Sequence, residues 1–222
     1  MRQLLLDFTR APEPTFDNFV PGGNGELLHA LEAAVAGRPA ERVVYLWGES
    51  AAGKTHLAHA FARAVEGRRG VRVVDGVESM DEAAQAELFN AFVERAFAFL
   101  LATARCAPRD LPLRRDLATR LASGLAYRVL PLTDAEKREA LAAHARTRGF
   151  ELSGDVVSYL LNHARRDMGS LMSALDAIDR YSLETRKPVT VPLLKAAMTL
   201  SPAAGLKHAG AGPTPQGGGS TP

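Results

Sequence analysis

The chain has a single cysteine, Cys106, among 222 residues. No internal disulfide can form, and a reducing compartment, the cytoplasm, is the expected setting. A lone thiol of this kind reads as a half-buried structural residue rather than a nucleophile or metal ligand. Long hydrophobic runs are also missing: nothing approaches the roughly 20 apolar residues that span a bilayer. The opening segment, Met1-Arg2-Gln3-Leu4-Leu5-Leu6-Asp7, carries an acid within its short apolar stretch and lacks a small-residue cleavage site, so it does not read as a signal peptide. An excess of one charge is lacking too. A formal net charge of +2 does not by itself call for a nucleic-acid or membrane partner. The six histidines form no ligand set. His56 and His59 stand three apart on one helix, but no acid or cysteine completes a metal site at helical spacing. No internal repeat is visible. What remains is an ordinary globular composition, 46% hydrophobic and 23% charged, enough for one α/β domain and a small second one.

Punctuation along the chain gives its organisation. Pro12 and Pro14 keep residues 1–14 extended. Asn24 can cap a helix whose Leu27, Leu28, Leu31 and Val35 share one face, and Gly37 and Pro39 end it. Val43–Trp47 is continuously apolar, which suits a strand of a parallel sheet covered on both faces. A glycine loop follows, then a helix from about 54 to 65. Further strands are expected at 71–75, 97–101 and 127–130. Helices are expected at about 81–95, with Leu88, Phe89 and Phe92 toward the core, and at 117–121. This alternation predicts a doubly wound parallel sheet over residues 15–132. After Leu132 the pattern becomes purely helical. Thr133-Asp134-Ala135-Glu136 forms a capping box, helices follow near 155–164 and 167–185, and Pro192 suits the first turn of a last helix. Residues 133–200 are therefore expected to be a small helical domain. The Gly-, Pro- and Ala-rich stretch 201–222 is expected to be a disordered tail.

The residues that carry chemistry start at Gly48-Glu49-Ser50-Ala51-Ala52-Gly53-Lys54-Thr55, a complete G-x-x-x-x-G-K-[ST] loop between an apolar strand and a helix. Gly48 and Gly53 let backbone N–H groups turn toward a β-phosphate, and the helix directs its positive end at the anion. Lys54 then contacts the β- and γ-phosphates, and the Thr55 hydroxyl can ligate Mg²⁺. Asp75 ends the apolar run Val73-Val74, where an acid can hold the same Mg²⁺ through water. ADP or ATP with Mg²⁺ is the expected cofactor. The next position, which usually supplies the acid that orients water, is Gly76. Glu78 lies two residues further on. Binding is thus better supported than hydrolysis.

In these motifs the chain resembles the DnaA branch of AAA+ proteins. Thr15-Phe16-Asp17-Asn18-Phe19-Val20-Pro21-Gly22 is similar to the block that lines the adenine pocket there, which implies Phe19 and Val20 as nucleotide contacts. The likeness runs on through Leu46-Trp47-Gly48 and the phosphate loop. Asp116-Leu117-Ala118-Thr119-Arg120-Leu121 looks like the segment bearing the arginine finger, which makes Arg120 that finger, acting in trans. Arg166-Asp167-Met168 is similar to the lid motif whose arginine senses nucleotide, so the likeness assigns Arg166 to nucleotide binding. It covers about residues 3 to 200 and departs in two places. Only Glu66–Gly70 separates the phosphate-loop helix from the next strand, where the family has a further strand and helix. A shortened sheet of four strands is therefore expected. At the end of the third strand, Leu101-Ala102-Thr103-Ala104-Arg105 has no acid near Ala104, which leaves Thr103 as the polar sensor.

Within that branch the chain resembles the regulatory inactivators. Gln3-Leu4-Leu5-Leu6-Asp7-Phe8 looks like a sliding-clamp-binding peptide, with Leu4, Leu6 and Phe8 suited to an apolar cleft and Gln3 and Asp7 among the clamp-binding residues. The DNA-reading helix-turn-helix that DnaA carries beyond its lid is not expected here. Gly149-Phe150-Glu151-Leu152 and Leu193-Leu194-Lys195 look like the inactivator lid. The resemblance implies negative control of replication initiation: the sliding clamp and DnaA are the partners, DNA is met mainly through them, and a homo-oligomer is allowed. An autonomous ATPase that loads or remodels something is the alternative, and Gly76 argues against it. A direct DNA-binding regulator would use Arg105, Arg109, Arg114, Arg115 and Arg120. With Asp110 and Asp116 interleaved, that stretch reads better as a solvated surface.

Overall fold

The computed structural model describes residues 13–165 and 167–200. The described residues form an α/β body followed by a helical lid. In chain order the elements are α1 (Gly25–Val35), β1 (Val43–Trp47), α2 (Lys54–Ala64), β2 (Val71–Val74), α3 (Glu82–Val93), β3 (Phe99–Ala104), α4 (Arg115–Ala122), β4 (Leu125–Arg128), then α5 (Asp134–Thr147), α6 (Gly154–His163), α7 (Met168–Thr185) and α8 (Val191–Leu200). Among the described residues the sheet has four strands in the order β2-β3-β1-β4, all pairs parallel. The four-stranded doubly wound sheet expected from the short Glu66–Gly70 connection is what the chain builds.

β1 shows why its run is apolar throughout. Val43 and Tyr45 pack with Leu88, Phe92, Leu100, Leu117 and Leu121 on the face covered by α3 and α4. Val44 and Leu46 pack with Leu27, Leu31, Leu57, Phe61, Phe99 and Leu101 on the face covered by α1 and α2. A strand buried on both sides has no polar face to alternate with. The lid has its own core, with Leu141, Val156, Leu160, Leu171, Leu175, Ile178 and Leu194 at its centre. Its first helix opens on the expected capping box: Thr133 accepts from the Glu136 N–H, and Glu136 accepts from the Thr133 N–H.

Four expectations are corrected. The third strand starts two residues later than its aromatic pattern suggests. Phe97 lies before it, edge-on to Phe92 with ring centroids 4.9 Å apart, and its carbonyl accepts from the Arg42 guanidinium at 2.6 and 3.0 Å. The strand instead runs on through Ala102–Ala104, in register with Tyr45–Trp47. The fourth strand starts two residues earlier, because Gly124 lets the chain approach β1 closely; a Cβ there would lie 2.2 Å from the Val43 carbonyl oxygen. Asn24 stands at the N-cap of α1 but makes no capping bond. Its amide accepts from the Leu130 N–H at 2.8 Å and donates to the Leu130 carbonyl at 2.9 Å. One side chain thus satisfies both backbone groups of a residue just past the sheet, and ties the segment before α1 to the end of β4. Phe89, expected in the core with Leu88 and Phe92, is only half-buried.

Candidate nucleotide site and arginine groove

The phosphate loop leaves β1 at Gly48 and enters α2 at Lys54. Both glycines are sterically required. Gly48 has φ 149°, and a Cβ would lie 2.7 Å from the Val129 carbonyl oxygen. Gly53 has φ 102°, and a Cβ would lie 2.8 Å from Cε2 of Phe19. The first turn of α2 has no side-chain cap, so its free N–H groups point out of the helix end where an anion would be held. Phe19 therefore packs directly on the loop, and its ring also meets His56 at 5.5 Å between centroids. The His56 ring in turn bonds the Thr15 carbonyl at 2.9 Å. The segment before α1 is held against the phosphate loop, with Phe19 on the loop and Val20 half-buried next to it in sequence.

Lys54 is 9% exposed, and its ammonium donates to the carbonyls of Gly48 at 2.8 Å and Glu49 at 2.7 Å. Burial lowers its pKa, the carboxylates of Glu78 and Asp75 oppose that, and Arg105 adds to it. The cation is thus held at the loop by main-chain dipoles rather than by a salt bridge. Thr55 is exposed beside it. Asp75 follows β2 directly. Its carboxylate accepts from the Thr103 hydroxyl at 2.5 Å, and the same hydroxyl accepts from the Gly76 N–H at 2.9 Å. Thr103 is 1% exposed and ties the ends of β2 and β3 together. Its one hydroxyl proton goes to Asp75. This donor set fits Mg²⁺. Besides phosphate and water, a hydroxyl and a fixed carboxylate suit the ion; Thr55 in the first turn of α2 and Asp75 just after β2 offer these.

Glu78 is the residue that sequence reasoning undervalued. Gly76 takes a left-handed conformation, φ 70°, and a 3₁₀ turn over Val77–Ser79 follows. The turn brings the Glu78 carboxylate to the end of β3. One oxygen accepts from the Arg105 N–H at 3.2 Å, and the other is buried without a hydrogen-bond partner among the described residues. Its charge bears on Lys54 and also helps raise the pKa of Tyr45 and of Cys106, after burial, which is the larger cause in both. Cys106 is accordingly a neutral thiol, with its sulfur 3.5 Å from the Asp110 carbonyl. An acid three positions after Asp75, just beyond a glycine, was the available signal.

A second polar surface lies on α3 and α4. Phe89, Arg114, Arg115, Asp116, Thr119 and Arg120 line a shallow groove. Cζ of Arg120 is 5.1 Å, and that of Arg114 5.4 Å, from the centroid of the Phe89 ring. Arg114 also donates to the Asp116 carboxylate at 2.8 Å. Along the basic stretch, Arg105 pairs with Glu78, Arg109 with Asp110 and Arg114 with Asp116, which leaves Arg115 and Arg120 without an acid among the described residues. Three of the five expected surface cations are thus offset by neighbouring carboxylates. Arg166 and the proposed clamp residues Gln3, Leu4, Leu6, Asp7 and Phe8 lie outside the described residues. No group of three or more potential metal-ligating His, Cys, Asp or Glu side chains occurs among the described residues, and no helix there is long and apolar enough to cross a membrane.

Known proteins are similar to this chain in two segments and in fold. Residues 11–79 match the bacterial DnaA ATPase domain, and residues 134–198 match the lid domain of Hda. Among solved structures, domain III of the replication initiation protein DnaA from Thermotoga maritima superposes with a TM-score of 0.67 at 20% identity, covering 87% of this chain and 97% of that one. AMPPCP-bound DnaA from Aquifex aeolicus gives 0.63 at 18% identity, over 78% of this chain and 66% of that one. The RuvB Holliday junction branch migration motor of Thermotoga maritima gives 0.62 at 20% identity, over 86% and 72%. Over these two segments the chain is similar to the ATPase domain of bacterial DnaA and to the lid domain of Hda, and its fold is that of DnaA domain III.

Proposed function

We propose that this protein is a negative regulator of replication initiation, which binds the sliding clamp of DNA polymerase and promotes hydrolysis of ATP bound to DnaA. The observation that carries the reading is Arg120. It is exposed, lies on an open groove and has no acid partner among the described residues, in a chain whose lid matches that of Hda. A guanidinium in that state keeps its forked N–H donors free for phosphate. Placed against the γ-phosphate in the DnaA site, it stabilises the charge that develops as water attacks phosphorus and the bond to ADP breaks. Such a finger accelerates hydrolysis by about 10³–10⁵. The clamp contact is assigned to Gln3, Leu4, Leu6, Asp7 and Phe8, and it holds the finger near DNA-bound DnaA.

The protein's own site takes ADP or ATP. Lys54 gives up its two carbonyl partners to the β- and γ-phosphates, the free N–H groups of α2 hold the anion, Phe19 and Val20 border the base, and Arg166 contacts the nucleotide from the lid. Thr55 directly and Asp75 through water would hold Mg²⁺, which when bound would neutralise phosphate charge. Thr103 orients Asp75. This nucleotide fixes the position of lid against body rather than being the substrate. The test is turnover of DnaA-bound ATP in the presence of DNA-loaded clamp. Full activity with the wild-type protein and loss in both Gln3→Ala and Arg120→Ala is the expected result. Hydrolysis that is the same with and without the protein rejects the reading. Turnover of free ATP by the isolated chain at a comparable rate favours an autonomous ATPase instead.

A further inference from the structure

Phe89 departs from the pattern of its neighbours. Phe92, Phe97 and Phe99 are buried in the core, whereas Phe89 is half-buried at the floor of the arginine groove. Two guanidiniums approach its ring, Arg120 at 5.1 Å and Arg114 at 5.4 Å. They are not equivalent. Arg114 gives an N–H to Asp116, and its backbone N–H donates to the side chain of buried Gln85 at 3.0 Å, so it is fixed at both ends and its charge is offset. Arg120 has no carboxylate among the described residues. A long arginine on a solvent-exposed helix face samples many rotamers, and ordering it costs entropy. An acid partner would reduce that freedom but would consume the N–H donors and the charge. An aromatic ring restrains the cation through its quadrupole and leaves the N–H donors unclaimed by any acid.

We infer that Phe89 is a positioning residue for Arg120: its ring seats the guanidinium in the groove so that the finger is presented with its donors and charge available to a phosphate on a partner molecule. Asp116 serves the same end by neutralising Arg114, so that the second cation at the ring does not displace the first. This inference rests on the reading of Arg120 as a finger acting in trans. The seat itself is a property of this chain alone.

The experiment has two arms. In the first, stimulated hydrolysis of DnaA-bound ATP is measured with clamp on DNA, for Phe89→Leu, Phe89→Tyr, Arg120→Ala and the Phe89→Leu/Arg120→Ala double variant. Phe89→Leu is expected to lower the maximal stimulated rate about threefold to tenfold, the range of a cation–π contact, with little change in the concentration giving half-maximal effect. Phe89→Tyr restores the rate, and Phe89→Leu adds nothing once Arg120 is absent. In the second arm, the side-chain Nε–Hε resonance of Arg120 is followed in the full-length protein labelled on arginine. It should carry a ring-current shift that vanishes in Phe89→Leu and persists in Phe89→Tyr. If the wild-type protein fails to stimulate hydrolysis while the ring-current shift is present, the inactivator reading falls and the seat stands. If the resonance is the same in Phe89→Leu and wild type, or Phe89→Leu slows the Arg120→Ala variant as much as it slows the wild type, the positioning role is overturned.

Discussion

The two cations that matter most in this molecule, Lys54 and Arg120, are held in opposite ways. Lys54 is buried and donates to two main-chain carbonyls within six residues of itself. Arg120 is exposed and meets one aromatic ring thirty-one positions earlier in the chain, on another helix. On the function proposed above, the first is prepared for a ligand that enters and takes over its partners, and the second for a ligand that another molecule brings. The contrast teaches that a buried cation can be fixed by carbonyls of its own continuous loop, whereas an exposed guanidinium whose donors stay free of acids is held by a ring from a separate element.

The strongest way to break the contrast is to exchange the losses. Arg120→Ala should cut stimulation of DnaA-bound ATP hydrolysis by about 10³ or more, while the affinity of this protein for fluorescent ADP, measured by titration, stays as in the wild type. Lys54→Ala should do the reverse at its own site, weakening ADP binding by roughly 10- to 100-fold through loss of charge-assisted hydrogen bonds. If each substitution impaired both readouts equally, the two sites would not be separable.

The next effects concern how the loop is held. Gly53→Ala places a Cβ 2.8 Å from the Phe19 ring at φ 102°, and it should destabilise the protein by about 1–3 kcal/mol in urea unfolding. Pairing it with Phe19→Ala should relieve the clash but not the backbone strain, so only part of the loss is recovered. Thr103→Val removes the hydroxyl that bridges Asp75 and Gly76, at an expected cost of about 1–3 kcal/mol. A Thr103→Ser variant, which keeps the hydroxyl, should lose much less.

The smallest effect is a pH dependence, and its sign follows from burial. Because the folded protein holds the Lys54 pKa below the ordinary 10.5, the unfolded chain binds this proton more tightly than the nucleotide-free folded one. This group's contribution to stability should therefore rise with pH from the lowered folded value up to 10.5, and stay constant below that window. Lys54→Met should remove only this rising contribution and leave the nucleotide-free protein at least as stable near neutrality, while the raised Tyr45 and Cys106 groups lower stability with alkaline pH in both proteins alike. A difference in stability between wild type and Lys54→Met that stays constant across alkaline pH in denaturant titrations would overturn the assignment to Lys54.

Much of this was legible in the residues. The phosphate loop is contiguous, its chemistry depends on the local φ freedom of Gly48 and Gly53, and a strand before and a helix after are short-range signals. The short Glu66–Gly70 connection left no room for a further strand, and the sheet has four among the described residues. The capping box of α5 is likewise a matter of four successive residues. Strand ends were less legible. Phe97 has the β-propensity of a strand residue but is taken into the core from a loop, and Gly124 reveals its role only beside Val43.

What the sequence determined by itself was the order of elements and the set of groups able to meet a phosphate, because both arise from neighbours along the chain. Which of those groups stay free was decided by the tertiary structure. Asn24 is drawn from its capping position to Leu130, 106 residues away. Thr103 commits its proton to Asp75, Glu78 meets the backbone at the end of β3, and Arg120 rests on Phe89. Each of these outcomes depends on two elements meeting across the fold. There, burial makes an unmet hydrogen bond costly and selects among partners that the sequence alone leaves equivalent.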